Sequence, residues 1–152
     1  MNRNLILIAL ALTAFFSCKK ANDPDPNDTP ATIEELLTAH TWKVAEIRIQ
    51  QSNNVFSYYN RGGTTNTANY DADSIKFNSN NTGVYYNMGS ITPLTWNFTN
   101  SIKTKMKLII NYPTPLTLNA ENVFLGENTF YFSEYYNYAG INYVAYGLRV
   151  PN

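Results

Sequence analysis

The chain has 152 residues, with 11 Lys+Arg balanced by 11 Asp+Glu, a single His, a single Cys and 12 Tyr. That length fits one domain of ordinary size with enough apolar content for a single core. Zero net charge argues against a nucleic-acid partner, which needs a basic face to displace counterions, and one Cys with one His supplies neither an internal disulfide nor a multi-histidine metal site.

Met1-Asn2-Arg3-Asn4 is a short basic start, followed by twelve uncharged residues from Leu5 to Phe16. A membrane-spanning helix takes about 20 apolar residues, so this run matches the apolar stretch of a secretory signal instead. It stops at Ser17-Cys18-Lys19-Lys20. A small residue directly before the only Cys resembles the lipobox of bacterial lipoproteins, with Phe15 standing where the commonest lipoboxes carry Leu. The resemblance implies a diacylglyceryl group on the Cys18 thiol and cleavage before it. Residues 1–17 are then the signal and Cys18 the membrane anchor, held stably because two or three acyl chains are buried where one would not suffice. The plainer reading is an ordinary signal with Cys18 as a free thiol.

Ala21 to Pro30 carries Pro24, Pro26 and Pro30 without apolar periodicity, so residues 18–31 read as a solvated tether. Asp23, Asp25 and Asp28 are similar to the export signals of Bacteroidetes lipoproteins, which implies the outer membrane and display on its outer face, with the periplasmic face as the alternative. Thr32-Ile-Glu-Glu35 is a capping box. It opens a short helix with Ile33, Leu36 and Leu37 on one face, ending near Ala39.

From there the period is 2. Eight runs read as strands, near Trp42–Gln50, Val55–Asn60, Ser74–Asn78, Gly83–Met88, Leu94–Thr99, Lys105–Asn111, Thr129–Tyr136 and Asn142–Val150. The Asn78–Gly83 turn is the clearest hairpin signal. Links at Arg61–Asp73 and Pro113–Asn128 interrupt the pattern, the second with room for a partial strand at Asn122–Leu125. Short sequential strands predict an all-β fold, an eight-stranded antiparallel up-and-down barrel with a short N-terminal helix over residues 32–152. Alternation turns Ile75, Phe77, Val84, Tyr86, Met88, Leu94, Trp96, Phe98, Met106, Leu108, Ile110, Phe130, Phe132, Val144, Tyr146 and Leu148 inward, and Tyr85 and Arg149 outward. The change of phase between Trp42/Val44 and Ile47/Ile49 predicts a bulge in the first strand.

The helix, then Leu37-Thr-Ala-His-Thr-Trp42-Lys-Val44 opening the first strand, and Arg149 near the end of the last, resemble a lipocalin. The anchored helix, Asp73-Ser-Ile-Lys-Phe77 with Gly83, and Leu94-Thr-Trp96 are similar to the lipocalin-like domain of Bacteroidetes lipoproteins. His40 stands where lipocalins carry Gly. The resemblance covers roughly Ile33 to Val150. It implies that Trp42 plugs the closed end of the barrel and that Arg149 lies across its indole as a cation–π cap.

An eight-strand barrel is wide enough for packed side chains or for one small molecule. The leading expectation is non-catalytic binding of a small apolar or amphiphilic ligand at the barrel mouth, with Tyr86, Trp96, Phe98, Tyr136 and Tyr146 as candidate contacts. No Lys or Arg is expected on the inner face, so a ligand carboxylate has no internal counter-charge, and Glu134 is placed at a wet rim. The alternative is a packed barrel that contacts glycans or proteins through outward tyrosines, one from each of Tyr58-Tyr59, Tyr85-Tyr86 and Tyr135-Tyr136, joined by Tyr131, Tyr138 and Tyr143. His40 at the helix–strand junction, Asp71 and Asp73 in a loop, and Arg61-Gly62-Gly63 without a following helix give no catalytic set, so no enzyme activity, cofactor or metal is expected. Asp73-Ser74-Ile75 resembles the O-glycosylation acceptor of Bacteroidetes. A monomer is expected.

Overall fold

Thr32 starts the fold as the sequence predicts. In the computed structural model, which describes residues 29–52 and 54–152, the Thr32 hydroxyl accepts from the Glu35 amide at 3.2 Å while the Glu35 carboxylate accepts from the Thr32 amide at 2.7 Å. The capped helix α1 runs Ile33–Ala39. The signal, Cys18 and most of the tether lie outside the described residues.

Nine strands follow: β1 Thr41–Gln51, β2 Asn54–Asn60, β3 Ser74–Phe77, β4 Thr82–Asn87, β5 Ser90–Phe98, β6 Met106–Ile110, β7 Leu116–Gly126, β8 Thr129–Tyr138 and β9 Ile141–Pro151. Eight of them close an antiparallel ring in the order β1-β3-β4-β5-β6-β7-β8-β9, sealed by β1 pairing with β9. The second strand is the outsider. β1 pairs through Thr41–Lys43 with β3 and through Glu46–Gln51 with β2 on the same edge, so β2 and β3 lie end to end along one strand, split by the link 61–73. That link protects the free edge of β2: Thr67 Oγ1 accepts from the Tyr58 amide at 2.8 Å and Asn66 Oδ1 from the Asn60 amide at 2.8 Å.

The eighth ring position is filled by β7, where the sequence suggested only a partial strand. Its period breaks at a bulge between Glu121 and Phe124, with Asn122 at φ 53°. Ala120 and Val123 are both buried as a result, three apart rather than two. The bulge expected in β1 is present, between Val44 and Glu46.

Two strands run with the opposite parity to the one predicted. On β4, Gly83 and Tyr85 face inward and Asn87 reaches the buried Asp73, so Tyr86 faces out. On β9, Gly147 and Arg149 face inward, while Val144, Tyr146 and Leu148 pair with Gln50, Arg48 and Glu46 on the outer row. In both strands a glycine or a polar residue occupies inward positions, which inverts the apolar alternation. Gly83 is required there: a Cβ would stand 2.3 Å from the Lys76 carbonyl oxygen and 2.9 Å from Leu94 Cδ1.

The lower half of the barrel is solid. Trp42 is fully buried, donates from Nε1 to the Leu37 carbonyl at 2.8 Å, and meets His40 and Phe130 edge-on. Phe77 joins Phe130 to Trp96 through two further edge-on contacts at 5.7 Å. Every buried apolar side chain among the described residues lies within the compact unit Ala31–Asn152, which therefore carries its own core. No helix among the described residues is long and apolar enough to cross a membrane.

Candidate functional site

The β8–β9 register sets the inner wall layer by layer: Phe130 opposite Arg149, Phe132 opposite Gly147, Glu134 opposite Ala145, Tyr136 opposite Tyr143. Below Phe130 the lumen is packed. Above it, small residues on β9 leave space. A Cβ on Gly147 would already touch the Phe132 ring at 3.5 Å.

The space is a mouth cavity of about 420 Å³. Ile47, Ile49, Leu116, Leu118 and Phe132 form apolar walls, Glu134 and Tyr136 stand nearer the rim, and Arg149 closes the floor. A second, inner pocket of about 110 Å³ shares Leu116, Leu118, Phe132 and Arg149 with it and adds Tyr85 and Ile110. Arg149 therefore stands at the junction of the two. Ligand sites in proteins typically occupy about 300–1,000 Å³, apolar with a few fixed polar groups.

Arg149 corrects the sequence reading twice. It is a charged side chain on the inner face, where none was expected. Its guanidinium carbon sits 5.9 Å from the centroid of Phe132, and Trp42 is instead packed against His40 and Phe130. Nε and Nη1 are buried and have no hydrogen-bond partner among the described residues. Burial disfavours its charged form, opposed by the fields of Tyr85, Asp73 and Tyr70.

Asp73 is buried at the start of β3, and both its carboxylate oxygens are engaged: Oδ1 accepts from Asn87 Nδ2 at 3.0 Å and Oδ2 from the Tyr85 hydroxyl. Burial, then this bond, raises the Tyr85 phenol well above its ordinary range. Tyr70 is set over the mouth by the link 61–73, which is pinned by Tyr59 donating to Asp71 at 2.6 Å and by Arg61 Nε donating to the Val44 carbonyl at 2.7 Å. On the wall, burial pushes the Glu134 carboxyl up, partly offset by the Asn119 backbone.

Of the five candidate contacts, Tyr136 lines the mouth and stacks on Tyr143 at 5.4 Å. Tyr146 borders the mouth but belongs to the outer row, where it lines a groove of about 390 Å³ with Glu46, Arg48, Gln50, Tyr131 and Leu148. Trp96 is core: its Nε1 donates to the Thr82 carbonyl at 2.9 Å, and Phe98 packs edge-on against it. Tyr86 faces outward beside Ser74 and Ile91. The residues that sequence reasoning missed, Ile47, Ile49, Leu116, Leu118 and Arg149, sit beyond a bulge, on an unrecognised strand or on an inverted one. The acceptor-like Asp73-Ser74-Ile75 runs into β3, with Asp73 buried just before it. Among the described residues no cluster of three His, Cys, Asp or Glu is placed to hold a metal.

Compared with known proteins, the chain matches no family model, no curated protein and no solved structure.

Proposed function

We propose that this chain is a lipid-anchored lipoprotein of the outer membrane, whose lipocalin-like up-and-down barrel binds a small apolar or amphiphilic ligand at its mouth without catalysing a reaction. The observation that carries the binding reading is the division of the barrel: aromatic core at the closed end, an apolar-walled cavity of about 420 Å³ at the other. The anchoring rests on Leu5–Phe16 and Ser17-Cys18. Acidic residues at Asp23, Asp25 and Asp28 support surface display.

The test uses N-phenyl-1-naphthylamine, a neutral apolar fluorophore, and the unit Ala31–Asn152. Fluorescence enhancement with the wild type and its loss in Ala145→Trp, which fills the mouth from β9, is the expected result. Equal enhancement in both proteins overturns the mouth as the site.

One observation favours a second reading, contact with glycans from outside. The Tyr136–Tyr143 stack, with Tyr135, Asn137 and Asn142, edges a shallow depression of about 360 Å³ at the β8–β9 tip. Flat rings beside amides suit sugar faces and hydroxyls. The hollow mouth gives the first reading precedence.

A further inference from the structure

We infer that the mouth cavity takes a monoanionic, carboxylate-bearing amphiphile, its head seated on the Arg149 guanidinium and its apolar body running up toward Tyr136. This inference rests on the ligand-binding reading above and specifies the chemistry of the ligand.

A guanidinium carries five N–H donors in a planar fork that matches a carboxylate bidentately. Burying one unpaired is costly, and natural structures rarely do so. Arg149 nonetheless has two shielded, unpartnered donor atoms. The obvious internal partner is taken, since Asp73 gives its oxygens to Tyr85 and Asn87. No ion pair among the described residues includes Arg149. The Phe132 face, 5.9 Å away, holds the guanidinium from one side without using its donors.

Position completes the argument. Arg149 borders both the mouth cavity and the inner pocket, so a head group entering from the mouth meets it at the inner end of the mouth cavity. Ala145 lies four residues nearer the mouth, about 13 Å along the strand. The wall between them is Ile47, Ile49, Leu118 and Phe132, which suits a hydrocarbon body. Glu134 faces the same cavity nearer the rim and opposes an anion there, which leaves the floor as the place for the head. One cation, already within the field of the Asp73 carboxylate, also argues against a doubly charged phosphate head. The neighbouring phenols of Tyr70 and Tyr85 are neutral and add no competing charge at ordinary pH.

The experiment is calorimetric titration of Ala31–Asn152 with decanoate and 1-decanol. The wild type is expected to bind decanoate at least about tenfold more tightly than decanol. Arg149→Met is expected to keep decanol binding and to bind decanoate no better. Its stability should be unchanged or higher, because a well-packed apolar side chain replaces an unpaired buried charge. Binding of decanol without preference for decanoate in the wild type, or a preference that survives in Arg149→Met, overturns the inference and leaves the binding reading intact. Binding of neither overturns both. Should Arg149→Met not fold, decanoate labelled with ¹³C at the carboxyl is titrated on the wild type. A bound carboxyl that stays ionised to lower pH than the free acid supports the pairing with Arg149, and one that titrates like the free acid overturns it.

Discussion

The guanidinium of Arg149 lies over the ring of Phe132, at 5.9 Å from its centroid, one layer above the Phe130 that it faces across the sheet. The side chain therefore leans toward the mouth, away from the Trp42 plug. The packed end and the hollow end meet at this contact. Below it lies the buried core around Trp42, Phe77 and Phe130 with a small inner pocket beside it, and above it the walls of the mouth cavity.

The closed end should be sensitive to Trp42. Its indole is fully buried and spends its only donor on the Leu37 carbonyl, fastening α1 to the barrel. Trp42→Ala is expected to cost about 3–5 kcal/mol by urea denaturation. Trp42→Phe should recover part of this, lacking the bond to Leu37 and some of the indole's packed volume. An unchanged midpoint for Trp42→Ala would remove the plug from the account.

Two glycines should behave differently. In Gly83→Ala the new methyl meets the Lys76 backbone oxygen at 2.3 Å, and backbone cannot step aside as a side chain can. A loss of about 1–3 kcal/mol is expected. Gly147→Ala meets the Phe132 ring at an ordinary 3.5 Å, so its stability should stay close to that of the wild type while the mouth narrows. Thermal denaturation of the pair side by side checks the contrast.

Alkaline pH should unfold the barrel through its buried phenols. Burial, reinforced by the bond to Asp71, pushes Tyr59 from its ordinary 10.0 up to about 12, and Tyr85 is raised further in the same sense by burial and Asp73. Both are neutral in folded and unfolded chains below pH 10.0, so their contribution is complete there. Above it the unfolded chain gains by ionising and the folded one does not, so stability should fall between about pH 10 and 12. Phenolate absorbance should show late-titrating tyrosines in the native protein, and Tyr85→Phe should reduce their number. Ionisation of every tyrosine near pH 10 in a still-folded barrel would contradict the burial.

Anchoring is tested in cells. Cys18→Ala is expected to move the chain out of the membrane fraction and to abolish a lipid-sized mass increment on the N-terminal peptide. A membrane fraction that keeps the variant would end the lipid reading.

What the sequence could reveal depended on whether side-chain chemistry followed the pleat. β3, β5, β6 and β8 carry apolar residues at every inward position that packs: Ile75 and Phe77, Leu94 and Trp96, Met106 and Leu108, Phe130 and Phe132, all buried. Their faces were legible from alternation alone, as was the β1 bulge from its change of phase. β4 and β9 were not, because their inward positions carry glycine or polar residues: Gly83 at a close backbone approach, Asn87 paired with Asp73, and Gly147 and Arg149 facing the cavity. β7 stayed hidden because its bulge at Asn122 spoils the period at mid-strand. The cavity inherits the failures at β7 and β9. Its walls come largely from β7, β9 and the part of β1 beyond its bulge, and of the candidate contacts it is lined by Tyr136 and, from the outer row, bordered by Tyr146.

Whether the mouth holds a ligand is read by native mass spectrometry of Ala31–Asn152, purified from bacterial extract and then stripped with organic solvent. A bound small molecule is expected on the wild type, lost on stripping, regained on addition of an apolar carboxylate, and absent from Ala145→Trp throughout. A clean apo mass before and after stripping, unchanged by a library of apolar and amphiphilic compounds, would contradict it.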